Sequence, residues 1–259
     1  MKYPDYKRNH FFLPERVQAL NRFLKQDYKG MRHKWKNGFN SNSEDALTWS
    51  CFDLLSNLPS KKKLNALKEI WEDAYEGRLD FPLGKNGKDI DIFVGKQYKG
   101  STTGELTEVD ASIESPDALV FFEAKLYSSV SLARPDKRKP HYQIARKIRI
   151  GLDDPLKDAA RNKKRDFYFI FLDIAPKEKL FLRKKKQALS SSSKGGFYDK
   201  WKSAWLFDYY KRGRNRSLKP LDNIIKDIEG VSASSREVSR NMGWLTWTDL
   251  FKDLLRAMV

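Results

Sequence analysis

Residues 106–126, LTEVDASIESPDALVFFEAKL, constrain the fold more than any other stretch of the chain. Ser115-Pro116-Asp117-Ala118 holds turn residues in turn order: Ser first, Pro with its fixed φ second, Asp third. Strand-like runs flank it on both sides, so the segment predicts an antiparallel hairpin. Symmetric pairing about the turn sets Asp110 directly opposite Glu123, with Cβ atoms about 4.5–5.5 Å apart. Glu123 and Lys125 are two residues apart and share one face of their strand. The opposite face is predicted to hold Val109, Ala111, Ile113, Val120, Phe122 and Ala124, an apolar surface suited to a core. A slip of one residue would turn that surface to water, which fixes the register.

The elements around the hairpin extend this pattern. Upstream, SNSEDALTWSCFDLLSN offers Ser41, Asn42 and Ser43 as helix N-caps. Leu47, Cys51, Leu54, Leu55 and Leu58 then form an apolar stripe. A second helix is expected over 62–76 and a strand over Asp89–Val94, with the hairpin strands at Leu106–Glu114 and Ala118–Leu126. A basic helix is expected from about Pro140, a good first helical residue. Asp166–Ile174 is a continuous apolar run, as a central strand requires. Residues 188–196 read as a loop by composition. The end, MGWLTWTDLFKDLLRAM, predicts a short strand, a turn and an amphipathic helix. The fold class is therefore α/β or α+β, a central mixed sheet flanked by helices. Residues 1–40 are expected to form a basic helical extension, with helical spacing at Val17, Leu20, Phe23 and Leu24, and 41–259 the main domain.

Charge narrows the partners. The 259 residues carry 51 Lys+Arg against 34 Asp+Glu, a formal net charge of +17. Such a field attracts polyanions and speeds their encounter, so nucleic acid is the expected partner. Hydrophobic residues at 40% are enough for a substantial core. The lone cysteine, Cys51, permits no internal disulfide, and the first residues lack a signal-peptide pattern. A cytoplasmic location, with no membrane partner, is expected.

Two carboxylates facing each other across a hairpin repel. A fold keeps such a pair when a cation lies between them or one is protonated. Hard oxygen donors suit Mg²⁺ or Mn²⁺. Such an ion polarises a phosphate oxygen and acidifies a bound water. A lysine beside it can orient the attacking water or stabilise charge on phosphorus. Asp110, Glu123 and Lys125 thus have the chemistry for phosphodiester hydrolysis.

On Asp110, the run Glu123-Ala124-Lys125 and the preceding apolar ALVFF, the chain resembles the PD-(D/E)XK nuclease superfamily, with its restriction-endonuclease-like fold. The resemblance covers about residues 41–258. It implies Asp110 and Glu123 as metal ligands, helped by the main-chain carbonyl of Ala124, with Lys125 assisting water attack. It also implies a further acidic residue from the first core helix, best matched by Glu44, with Asp45 as the alternative. Ser41-x-x-Glu44 is also a capping box, which offers Glu44 a purely structural task. One departure stands out: the literal Pro116-Asp117 dipeptide lies in the turn, and the Asp110 position follows valine instead of proline. Gln143, one turn into the basic helix, matches a polar position that faces the site in similar nucleases.

Arg134, Lys137, Arg138, Lys139, His141, Arg146 and Lys147 are expected to form a basic ledge for phosphate contacts, which carry no sequence information. Trp35, in RHKWKNGF, has the basic setting of a base-stacking residue. The three histidines lack metal-ligand spacing. The expectation is a Mg²⁺- or Mn²⁺-dependent endonuclease acting on DNA more than RNA, in restriction or other defence, repair or mobile-element processing. A homodimer or protein partner for targeting fits it. The alternatives are a non-catalytic nucleic-acid-binding module of the same fold, and a basic scaffold without metal.

Overall fold

The computed structural model describes residues 1–26, 33–126, 141–153, 165–174, 206–213 and 217–259. Strand β1 spans Asp91–Lys99, β2 Leu106–Glu114, β3 Ala118–Ala124, β4 Asp166–Asp173 and β5 Met242–Thr246. They form one five-stranded sheet in the order β1-β2-β3-β4-β5. Strands β1, β2 and β3 are an antiparallel meander, whereas β3, β4 and β5 run parallel. The change of sense follows from the connections. A tight turn can only reverse the chain, while parallel neighbours need a long crossover. The Ser115–Ala118 turn supplies the first, closed by Ser115 N–H donating to Ala118 O at 2.9 Å. Helix α5 (Gln143–Leu152) lies in the connection from β3 to β4.

Helices cover both faces. On one lie α3 (Glu44–Asn57), α4 (Ser60–Tyr75) and the C-terminal α8 (Trp247–Met258). Their Phe52, Ile70, Trp71 and Leu250 pack with Ala111, Val120, Phe122 and Leu245 of the sheet. On the other lie α5 (Gln143–Leu152), a helical segment at 206–211, α6 (Lys219–Ile225) and α7 (Ser235–Arg240). Ile144, Ile148, Phe207 and Leu221 there meet Leu119, Phe121, Phe169 and Trp244. With both faces covered, all seven residues of β3 are buried, which is why β3 and β4 read as continuous apolar runs. Gly151 brings α5 close to the sheet, since a Cβ there would lie 2.0 Å from the Phe167 ring. The architecture is α+β, an open mixed sheet between helical layers.

The N-terminal residues pack on this body. Helix α1 (Val17–Leu24) sets Leu20, Phe23 and Leu24 against Trp49 of α3. Arg16 pairs with Asp53 at 2.6 Å. The short α2 (His33–Asn37) carries Lys34 and Trp35.

Several boundaries differ from the sequence reading, each for a local reason. Strand β1 continues to Lys99 because Lys96–Lys99 pair with Leu106–Val109, giving a polar edge strand that hydropathy does not reveal. Helix α3 is capped by Ser43, whose hydroxyl accepts from Ala46 N–H at 3.2 Å, so the Ser41–Glu44 capping box does not form. Helix α8 follows β5 without a turn, because Thr246 ends the strand and caps the helix. Val109 leaves the predicted apolar face and packs with Tyr98 and Phe121 on the other. The β1–β2 ladder skips the Gly95–Asp110 step at that point, where Gly95 has φ +65°.

Candidate functional site

The hairpin register is the one expected from the turn: Ala111 pairs with Phe122, and Ile113 with Val120. One step further the ladder gives way to a side chain. The Ala124 N–H donates to Asp110 Oδ2 at 2.8 Å. Asp110, midway along β2, and Glu123, near the end of β3, thereby meet where the β2–β3 ladder ends.

Two lysines enter between the carboxylates. Lys125 Nζ lies 2.7 Å from Glu123 Oε1 and 3.0 Å from Glu44 Oε1. Lys147 Nζ, from α5, lies 3.1 Å from Asp110 Oδ1 and contacts Glu123 Oε2. Glu44, the first residue of α3, also accepts the Leu126 N–H through Oε2 at 2.9 Å. The backbone is fixed from behind by Trp247 Nε1, which donates to Lys125 O at 3.1 Å. Three carboxylates from α3, β2 and β3 and two ammoniums, one from the residue just after β3 and one from α5, thus form one cluster.

Its inner part is dry and its outer part wet. Glu123 and Lys147 are fully buried, whereas the Asp110 and Glu44 side chains keep 22% and 20% of their exposure. Charged groups at such depth need partners. Burial alone would raise the Asp110 pKa, but the Lys147 and Lys125 ammoniums and the Ala124 N–H hold it below the ordinary carboxylate range. Burial, then the facing Asp110 charge, push Glu123 the other way despite both lysines. The unequal pair is what two close carboxylates give when one has the better donors. Burial would lower both lysines, but their carboxylate neighbours dominate and raise them, so they are ammoniums at neutral pH. Asp45, next to Glu44, is pushed up to about 6 by burial and the Asp110 charge.

The residues singled out by sequence are thus distributed unevenly. Asp110, Glu123, Lys125 and Glu44 are brought together. Gln143 is the first residue of α5, half-buried, one helical turn before Lys147 and on the same face. His141 and Arg146 are half-buried, with Arg146 Nη1 donating to the His141 carbonyl at 3.1 Å. Lys147 is corrected: it is no part of a surface ledge but sits inside the cluster. The signal for this was present, because Lys147 falls within the apolar stripe of Ile144, Ile148 and Gly151, where a solvated lysine does not belong. Arg134, Lys137, Arg138 and Lys139 lie outside the described residues. Trp35 packs against the Tyr6 and Phe39 rings with 40% of its surface exposed. A third buried lysine, Lys34, reaches Glu108 at 2.7 Å, two residues along β2 from Asp110.

Among the described residues no group of three or more His, Cys, Asp or Glu is arranged to hold a metal. Asp110 and Glu123 do converge on one cation position, which the Lys147 ammonium holds. Among the described residues the two Glu123 oxygens are met by the two lysine ammoniums, one each. Hard carboxylate oxygens with unused acceptor capacity fit a divalent cation in kind, on condition that Lys147 moves off. Among the described residues no helix is long and apolar enough to cross a membrane. No protein-family model, curated protein or solved structure matches the chain.

Proposed function

We propose that this chain is a Mg²⁺- or Mn²⁺-dependent nuclease that hydrolyses phosphodiester bonds of DNA, with the site and restriction-endonuclease-like core of a PD-(D/E)XK enzyme. The observation that carries this reading is the convergence of Asp110, Glu123 and Lys125 where the β2–β3 ladder ends, with Glu44 delivered to Lys125 by α3.

In this reading Asp110 and Glu123 hold the cation, with the Ala124 carbonyl, and Glu44 serves a second cation or its water. The bound cation supplies Lewis acidity and a more acidic water. The protein's residues do the rest. Lys125, held between Glu123 and Glu44, has its ammonium fixed where it can donate to a water or to a phosphate oxygen. The partly exposed Asp110 and Glu44 face the substrate side, and buried Glu123 anchors the far side. The +17 charge draws the polyanion in and leaves sequence choice to other contacts. Defence, repair and mobile-element processing are the roles open to such an enzyme.

One observation favours a second reading, a nucleic-acid-binding module of the same architecture. Lys147 and Lys125 already pair with Asp110 and Glu123, so these two carboxylates have counter-ions without a metal cation. Cleavage of supercoiled plasmid and single-stranded DNA with Mg²⁺, Mn²⁺ or EDTA separates the two. Nicking that needs the cation and vanishes in Lys125→Ala supports the nuclease. Tight, salt-sensitive binding without any cleavage sinks it in favour of the module.

A further inference from the structure

Resting on the cation-dependent reading above, we infer that Lys147 is a tethered counter-ion that holds the cation position of the metal-free protein, and that divalent cation binding proceeds by displacing it. Lys147 is fully buried, and its ammonium lies within ion-pair distance of both Asp110 and Glu123. Lys125 is already committed to Glu123 and Glu44. Lys147 is therefore the group that balances Asp110.

Charge makes the two occupants exclusive. Asp110 and Glu123 together bring two negative charges. A divalent cation beside the Lys147 ammonium would set three positive charges against them in a buried place, where like charges repel strongly. The exchange is complete in itself: one ammonium leaves the carboxylate pair and one hydrated ion enters, shedding water as oxygens replace it.

The arrangement has two consequences. The chain can fold metal-free without two bare carboxylates facing each other. Monovalent ions, with no charge advantage over a tethered ammonium, are excluded from the site.

The test measures Mn²⁺ binding to the full chain by titration with electron paramagnetic resonance, which counts free Mn²⁺ directly. Wild type, Lys147→Met, Lys147→Gln and Lys147→Arg are compared, and melting midpoints are recorded with and without Mn²⁺. Removal of the competitor should tighten Mn²⁺ binding about tenfold or more in Lys147→Met and Lys147→Gln, while Lys147→Arg keeps a weak affinity. The two neutral variants should melt lower than wild type without Mn²⁺ and recover when it is added. If Lys147→Met does not fold metal-free, refolding it with Mn²⁺ gives the same reading. Equal affinity in wild type and both neutral variants overturns the displacement and leaves the metal site standing. Mn²⁺ binding by none of the four chains overturns the cation-dependent reading as well. Weaker Mn²⁺ binding in the neutral variants makes Lys147 a supporting residue of the site and also overturns the inference.

Discussion

The Asp110 carboxylate accepts the backbone N–H of Ala124 at 2.8 Å, closing with a side chain the gap where the β2–β3 ladder ends. The same residue thus terminates the hairpin and presents its second oxygen to Lys147. Structure and proposed chemistry share one side chain, and substitutions can separate them. Asp110→Asn keeps an oxygen for the Ala124 N–H but loses the charge. Asp110→Ala loses both and leaves a buried donor unpaired, which costs about 1–3 kcal/mol. The expected outcome in chemical denaturation is that Asp110→Ala is clearly less stable than Asp110→Asn, with cleavage lost in both. A basic scaffold with unbalanced carboxylates would instead gain stability from Asp110→Ala. Lys147 beside Asp110 argues against that gain.

Glu44 and Ser43 divide between them the two tasks that the sequence offered to Glu44. Ser43 caps α3, while Glu44 meets Lys125 and the Leu126 N–H. Ser43→Ala should therefore cost about 1 kcal/mol of stability with cleavage kept. Glu44→Gln should leave the α3 cap intact and lower cleavage by about tenfold or more, since a neutral partner no longer fixes the Lys125 ammonium. Thermal melts and plasmid nicking on both variants check the pair. The reverse pattern would return Glu44 to a capping role.

The hairpin was legible because its turn chemistry and side-chain period both point to one register, and Asp110, Glu123 and Lys125 follow from that register by arithmetic. Lys147 was not. Its place depends on how α5 crosses the sheet, set by the close approach of Gly151 to Phe167, about which local spacing says nothing. The second half of β1 was hidden for another reason. An edge strand needs no apolar pattern on its open side, and Lys96-Gln97-Tyr98-Lys99 looks like a loop until Leu106–Val109 are known to pair with it. Glu44 was legible as to position and ambiguous as to task, because three adjacent residues, Ser41, Asn42 and Ser43, could each have capped the helix.

Asp153 just past the end of α5 anchors the helix to the β1–β2 turn. Its carboxylate accepts from the backbone N–H groups of Thr102 and Thr103 and from the hydroxyls of Ser101, Thr102 and Thr103, at 2.7–3.1 Å. Burial opposes the charge, but these donors outweigh it and hold the carboxyl well below its usual range. A lowered carboxylate stabilises the fold above its unfolded pKa, and that contribution disappears only as pH falls toward the folded value. Asp153→Ala should therefore cost about 2–4 kcal/mol at neutral pH and progressively less in strong acid. Denaturant midpoints for wild type and variant across acid and neutral pH check it, and a gap that widens in acid would refute it.

Asp253 of α8 should give stability the opposite pH dependence. It is fully buried, neither oxygen has a hydrogen-bond partner among the described residues, and Lys252 Nζ approaches no closer than 3.7 Å. Burial first, then the Asp73 charge, push its carboxyl up to about 7 from an ordinary 3.8. The folded state thus holds a proton that the unfolded chain has released between about pH 4 and 7. A raised carboxyl stabilises the fold most below its unfolded pKa, and that stability is lost as pH rises through the folded value. The displacement corresponds to at most about 4 kcal/mol, at 1.36 kcal/mol for each tenfold change in acidity. Asp253→Asn removes the titration, so the variant should be more stable than wild type at pH 8 and close to it at pH 4. The measurement is the free energy of unfolding in urea for both proteins across that range. A difference that does not grow between pH 5 and 8 would mean that Asp253 is charged in the fold, with a partner among its neighbours.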